Sequence, residues 1–333
     1  MIGIITNSFI YRPLLKRMMK LLFGNGLPLV HVDGTVATIG NFDGVHLGHQ
    51  ALLAQLHGES IKQNLPAAVV LFEPQPSEFF MQKKAPARLT SLREKLALIK
   101  QSQLDYVYCL RFNEALAAMS PEVFAERIIF SHLNVKWLLV GQDFRFGKGR
   151  AGDVNLLINR GRQYGCTVAT FPDFIFQKQR VSSTLIRHEL AKGQLKKASS
   201  LLGWTYGFQG RVVYGQGIGR LWGIPTANIR ITRLNSPISG IFCVEVRREN
   251  GALVPGVASL GTRPTVGGKD LILEVHLFDF NEHLYGELLQ VSFLHRLRDE
   301  VTFESIDELI EQIRQDIDMA KRYFQAEALT ISA

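Results

Sequence analysis

A chain of 333 residues with 46% hydrophobic and 20% charged side chains can bury two cores, and this composition excludes a disordered or fibrous chain. Its formal charge of +8 favours anionic partners, but the lysines and arginines are scattered, as on an ordinary solvated surface. The longest apolar runs have strand length, and Cys109, Cys166 and Cys243 lie far apart without CxxC spacing, so no membrane helix, disulfide framework or cysteine metal site is expected and a reducing cytoplasm fits.

Residues 1–19 mix hydrophobics with Arg12, Lys16 and Arg17 and lack a cleavage site, so they read as an extension rather than a secretory leader. Thr35–Ile39 reads as a buried strand, and a helix is expected from Gln50 onward. Short apolar runs then alternate with helical patterns. Strands are expected at 66–72, 104–110, 135–140 and 166–171, and helices at 91–100, 121–132 and 153–163. This alternation predicts a doubly wound α/β domain ending at about residue 202, after one or two short helices over 184–202. From Gly203 the texture changes to short β-rich runs at 207–213, 240–246, 253–259, 271–278 and 288–293. They predict a small antiparallel barrel. Ser305 and Glu308 make a capping-box pattern for a last amphipathic helix, with Leu309, Ile313 and Ile317 on one face.

The stretch between the first strand and its helix reads GNFDGVHLGH, Gly40 to His49. A strand, a glycine-rich turn and a helix N-terminus expose backbone N–H groups to an anion, most often a phosphate. His46 and His49 at that entrance can donate to phosphate oxygens, and Gly48 between them lets a ligand approach the backbone. The plain alternative is a glycine loop with two solvent-facing histidines. Val181–Arg187 (VSSTLIR) is by itself an N-cap pattern, although Ser183, Thr184 and Arg187 could also hold phosphates. Val140–Asp153 superficially resembles a P-loop, but five residues separate Gly141 from Gly147 and Gly149 stands where Ser/Thr is required. In the second half, Gly215, Gly217 and Gly219 suit a flexible flap. Thr226 and Asn228 in PTAN alternate, so on a strand they share a face and could present two oxygens to Mg²⁺. Otherwise PTAN is a turn followed by a strand.

GNFDGVHLGH contains the HxGH element of the nucleotidylyltransferase superfamily and resembles one family in it closely: the bacterial bifunctional riboflavin kinase/FMN adenylyltransferases, also called FAD synthetases. VLFEPQPSEFF, VGQDFRFGKGRAGD, VSSTLIR, the flap with PTAN, ASLGTRPT and LEVHLFDFNEHLYG resemble the same family in the same order. The resemblance spans about residue 20 to residue 324. It implies an N-terminal Rossmann-like adenylyltransferase domain over 20–202 and a C-terminal riboflavin kinase barrel over 203–333. In the first, Gly40, Asn41, Phe42, Asp43, His46, Gly48, His49, Ser183, Thr184 and Arg187 would meet ATP. Glu73, Phe79, Asp143 and Arg145 would border the flavin, with Phe79 or Phe80 on the ring or else in the core. In the second, Gly215, Gly217, Gly219, Arg220, Thr226 and Asn228 would hold ATP and Mg²⁺. Glu274 would be the general base on the riboflavin hydroxyl; its plain reading is a strand carboxylate. Gln142 and Tyr214 depart from the family pattern, which commonly has an acidic residue and a histidine there. Riboflavin, FMN, FAD and ATP are the implied substrates and products; neither nucleic acid nor membrane is an expected partner. The rivals are another HxGH nucleotidylyltransferase, a tRNA-charging enzyme and a basic nucleic-acid-binding protein. No KMSKS-like motif supports the second, and scattered charge offers little for the third.

Overall fold

The computed structural model describes residues 19–24, 33–265 and 268–331; the expected N-terminal extension falls almost wholly outside them. Its first half is built on six parallel strands: β1 (Lys20–Phe23), β2 (Thr35–Ile39), β3 (Ala67–Glu73), β4 (Tyr106–Arg111), β5 (Val135–Gly141) and β6 (Thr167–Phe171). They lie in the order β1-β4-β3-β2-β5-β6. Parallel neighbours need crossovers, and helices supply them. These are α1 (Leu47–Gln63), α2 (Pro76–Met81), α3 (Leu92–Ile99), α4 (Glu114–Ala117), α5 (Pro121–Val123) and α6 (Val154–Gln163). Because helices cover both faces, β2 is buried at every position. Side chains alternate along β3: Ala68 and Val70 enter one core, Val69 and Leu71 the other.

Two helices depart from the sequence pattern. α1 starts at Leu47 rather than Gln50, because the His46 ring accepts from the His49 N–H and caps the helix early. The expected helix over 121–132 is α5 followed by a π-helix over Phe124–His132. The wider turn places Phe124, Ala125, Ile128, Ile129 and Phe130 all in the interior.

A short hairpin, β7 (Ile175–Phe176) and β8 (Gln179–Arg180), leads to α7 (Ser183–Ala191) and α8 (Leu195–Leu202). The second half is a closed antiparallel barrel of β9 (Gly207–Val213), β10 (Ala227–Arg230), β11 (Gly240–Arg247), β12 (Leu253–Thr265), β13 (Gly268–Leu277) and β14 (Leu288–Arg298). α9 (Ile218–Leu221) interrupts the β9–β10 connection, and α10 (Ile306–Ile331) lies on the barrel wall. β12 and β14 extend past the runs expected at 253–259 and 288–293, and β13 begins before the run expected at 271–278. Two register shifts in the β11–β14 pairing let β14 curve with the wall. Phe208, Phe242, Leu273, Val275 and Phe293 fill the barrel, and that core continues into Leu190, Leu202 and Tyr206.

The two halves are joined by a buried polar junction. Arg233, from the segment after β10, pairs with Glu94 of α3 and donates to the Tyr206 hydroxyl at 3.1 Å. Glu94 also accepts from the Gln209 N–H at 2.7 Å. The Trp204 indole donates to the Gly44 carbonyl at 3.0 Å, and Gln50 to that of Leu202 at 2.8 Å. A charge buried without its partner is strongly destabilising. Glu94→Ala should therefore lower the stability of the whole chain by about 3–5 kcal/mol. Urea unfolding followed by tryptophan fluorescence checks this; a loss below about 1 kcal/mol would mean that water replaces the carboxylate.

Candidate active sites

In an open parallel sheet, ligands lie beyond the carboxyl ends of strands where the strand order reverses. Here that point is between β2 and β5, and the GNFDGVHLGH loop leaves one strand while the 141–153 loop leaves the other. α1 and α7 both begin near this crevice, and neither has an acidic residue in its first turn. Their N-termini remain favourable to an anion. The two are tied together: Ser183 Oγ donates to the Asp43 carbonyl at 2.8 Å, while Ser182 caps α7. The Thr184 side chain is exposed.

Asp43, expected at the nucleotide, is buried, and its carboxylate points into the protein. It accepts from the N–H groups of Leu89 and Thr90 at 3.0–3.1 Å and from Arg187 at 2.5 Å. The same arginine donates through Nε to the Ala87 carbonyl at 2.6 Å. A guanidinium has five N–H donors, so Arg187 is anchored and still has donors to offer. Phe42 is buried too, its ring 4.9 Å from that of His49. Gly40 and exposed Asn41 precede it at the end of β2.

The His46 and His49 rings stack, with centroids 3.7 Å apart. A Cβ on Gly48 would stand 3.3 Å from the His46 ring and 3.2 Å from Phe174, so this position is tight. Burial lowers the His46 pKa to about 4, partly opposed by Asp43. Burial, with His46 and Lys95 nearby, holds His49 well below the ordinary histidine range. Both imidazoles are therefore neutral at physiological pH. Since His46 Nδ1 accepts from a backbone N–H, its proton sits on Nε2, where it can be donated. The His49 Nδ1 is buried and has no hydrogen-bond partner among the described residues.

The expected flavin-side residues divide. Glu73, at the carboxyl end of β3, accepts from both terminal Arg88 nitrogens at 3.0–3.1 Å. Phe79 and the exposed Phe80 pack edge-on against Phe112, at 5.4 and 5.7 Å. Asp143 and Arg145 lie on the loop after β5 and are largely exposed; Asp143 pairs with Arg180 at 2.7 Å, and Arg145 stands 3.7 Å from Asp153.

In the barrel, Glu274, Thr226, Asn228, Gly217 and Gly219 line one cavity of about 500 Å³. Strand register explains the convergence. Asn228 of β10 stands opposite Glu274 of β13, which stands opposite Ser259 of β12. Leu273 and Val275, on either side of Glu274, point into the barrel, so this polar row faces outward. The segment after β9 and α10 cover it. Gly215 is pressed against the Asn228 amide, where any side chain would collide. α10 is pinned by Arg298, which meets Asp316 through two nitrogens at 2.6 and 2.8 Å. Arg220 faces a neighbouring cavity instead, together with Thr226, Phe280 and Tyr285.

Two residues were missed in the sequence. Lys95 is fully buried beneath the histidine loop and donates to the Asn41 carbonyl at 2.5 Å. Its spacing from Leu92 and Ile99 puts it on the apolar face of α3, a signal available in the sequence. His276 lines the barrel cavity and donates from Nδ1 to the Pro225 carbonyl at 2.8 Å. The three cysteines are buried and free. Among the described residues no helix is long and apolar enough to cross a membrane, and no His/Cys/Asp/Glu group is arranged to hold a metal.

Asp43→Ala strips two N–H groups and Arg187 of their acceptor. It should lower stability by about 3–5 kcal/mol, read as an earlier urea midpoint. His46 adds a pH dependence. Unfolded, it takes a proton near pH 6.5; folded, only near pH 4. Its contribution is complete above pH 6.5 and drains away as pH falls toward 4. His46→Asn should remove up to about 3 kcal/mol of that acid sensitivity, seen by comparing unfolding curves across this range.

Comparison with known proteins follows the same division. A family model described as FAD synthetase matches residues 30–185, and one described as riboflavin kinase matches residues 202–324. A bifunctional riboflavin kinase/FMN adenylyltransferase from Haemophilus influenzae is 44% identical, over 89% of this chain and 96% of its own. One from Escherichia coli K12 is 47% identical over 92% and 98%. A solved structure described as a macrolide-efflux protein from Streptococcus pneumoniae superposes with a TM-score of 0.72 and 29% identity, covering 86% of this chain and 93% of that one. The chain belongs to the bifunctional riboflavin kinase/FMN adenylyltransferase family.

Proposed function

We propose that the two halves, meeting at residues 202–203, perform successive steps: the barrel phosphorylates riboflavin to FMN, and the α/β half adenylylates FMN to FAD. The observation that carries the kinase assignment is the row Asn228–Glu274–Ser259 beside Thr226 in one covered cavity. Glu274 takes the proton from the riboflavin 5′-hydroxyl as its oxygen attacks the γ-phosphorus of ATP, and ADP leaves. Gly215, Gly217, Gly219 and Arg220 attend the phosphates. Thr226 and Asn228 offer two neutral, hard oxygens on one face, a donor set that suits Mg²⁺ arriving with a triphosphate but not a metal held by protein alone. Bound there, the ion would offset phosphate charge.

In the α/β half the nucleophile is the FMN phosphate, which is already ionised and needs no base. It attacks the α-phosphorus of ATP, and pyrophosphate departs. The work is orientation and charge stabilisation. His46 and His49 act as neutral N–H donors at the α1 entrance, with the backbone of Gly40, Asn41, Phe42 and Gly48. Ser183, Thr184 and the remaining Arg187 donors close on the phosphates from α7. Asp43 holds Arg187 and the loop in place rather than touching ATP. Glu73, Phe79, Asp143 and Arg145 border the flavin. Buried free cysteines suit the cytoplasm, and the scattered charge suits small anionic substrates rather than nucleic acid.

Incubation with riboflavin, ATP and Mg²⁺, with the flavins separated chromatographically, should give FMN and then FAD. Glu274→Gln should slow FMN formation by about 10²–10⁴-fold while leaving FAD formation from supplied FMN intact. His49→Ala should stop the reaction at FMN, and chelation of Mg²⁺ should stop both steps. Unchanged flavin kinetics in Glu274→Gln would place the base elsewhere.

A further inference from the structure

Between the two halves lies a cleft of about 640 Å³, within the usual range of ligand pockets. Its charged lining is five arginines, Arg88, Arg93, Arg211, Arg230 and Arg233, and one carboxylate, Glu73. Two of the five are neutralised: Arg88 by Glu73 and Glu78, Arg233 by Glu94. Of the other three, two have no such partner and the third has a distant one. Arg93, exposed on α3, and Arg230, exposed on β10, have no hydrogen-bond or ion-pair partner among the described residues. Arg211 donates from one terminal nitrogen to the Gly286 carbonyl at 2.6 Å and has one carboxylate, Glu249, at 3.9 Å, which leaves its other donors to the cleft.

Register makes this arrangement unfavourable without an anion. Asn228 pairs with Val213 and Ile229 with Val212. One residue further, Arg230 falls opposite Arg211, and both are on the outward face of the barrel wall. Like charges directly opposite on neighbouring strands repel. Arg93, from the other half, adds a third cation to the same cleft. Guanidinium groups in such a cluster match phosphate geometry.

The position of the cleft indicates which phosphate. Arg230 lies two residues along β10 from Asn228, on the same face, and so beside the barrel cavity. The opposite side of the cleft is formed by Glu73 and Arg88, at the carboxyl end of β3. We infer that this cleft holds the phosphate monoester of FMN between the centre that makes it and the centre that consumes it. Arg93, Arg211 and Arg230 grip the dianion, so FMN passes between the halves without first mixing with the solvent pool. The inference rests on the site assignment proposed above.

The test is isotope dilution with the intact chain. Carbon-14-labelled riboflavin, ATP and Mg²⁺ are supplied together with a pool of unlabelled FMN. Retained FMN gives early FAD a higher specific radioactivity than the bulk FMN. The double variant Arg93→Gln/Arg230→Gln should cut this excess about ten-fold, the worth of a charge-assisted contact. Each half-reaction, measured alone with saturating riboflavin or FMN, should be unchanged. The inference fails if FAD tracks bulk FMN in the unmodified chain, or if the variant keeps the full excess. It also fails if the variant loses a half-reaction, which would place these arginines in a catalytic centre. Radiolabelled pyrophosphate that binds the unmodified chain but not the variant, with the FMN excess unaffected, would make the cleft a pyrophosphate site instead. Failure of the site assignment is seen separately: Glu274→Gln and His49→Ala would then leave both half-reactions intact.

Discussion

The carboxylate of Asp43 is the interaction on which the nucleotide-facing half depends. It is buried, and a buried charge is tolerated only when it is paired and hydrogen-bonded. Its partners come from distant parts of the chain: the backbone at Leu89 and Thr90, and Arg187 of α7. Satisfying this one group brings the histidine loop, the segment leading into α3 and the start of α7 together. Lys95 beneath Asn41 and Trp204 on Gly44 close the loop from other directions. The histidines are consequently held stacked and neutral, His46 buried and His49 half-buried, with donors in place before any ligand arrives. Preorganised donors of this kind cost no rearrangement when charge develops on a phosphate.

The barrel solves a different problem. Its interior is filled by aromatic and aliphatic side chains, so polar groups can gather only on the outer wall. A wall facing open water would leave them in high dielectric. The segment between β9 and β10 covers one side of the row and α10 the other, with the Arg298–Asp316 pair fixing the helix. The barrel thus carries its site as a covered groove. β10 contributes to both that groove, through Asn228, and the arginine-lined cleft, through Arg230.

The fold, and the motifs that make up the two candidate sites, were legible from local pattern. Alternation of apolar runs with helical spacing is a short-range property, and so are the glycine turn after β2 and the alternation of Thr226 and Asn228. α1 was misplaced by three residues because its cap is a histidine ring, outside the usual capping set. Glu94 was legible as nothing more than part of a helix, although it closes a capping box with Ser91 and also carries the junction to Arg233. Lys95 read as one more surface lysine, because a burial decided by neighbouring elements leaves only a faint trace in spacing.

What the sequence by itself determined was the kind of each half, the order of the motifs and the chemistry of the groups they bring. These follow from periodicity, turn residues and donor type, all local. Tertiary structure alone decided which groups face the crevice and which point inward to the protein. Asp43 sits in the same motif as His46, yet its carboxylate is turned toward the interior and anchors one side of Arg187, while Thr184 is exposed and His46 keeps a donor at the crevice. The same holds for the meeting of Arg93 with Arg211 and Arg230: only sheet register and the docking of the halves place cations from separate segments in one cleft. The physical reason is that burial and Coulomb interaction depend on distance in space, and a chain of alternating motifs does not specify those distances until its elements have packed.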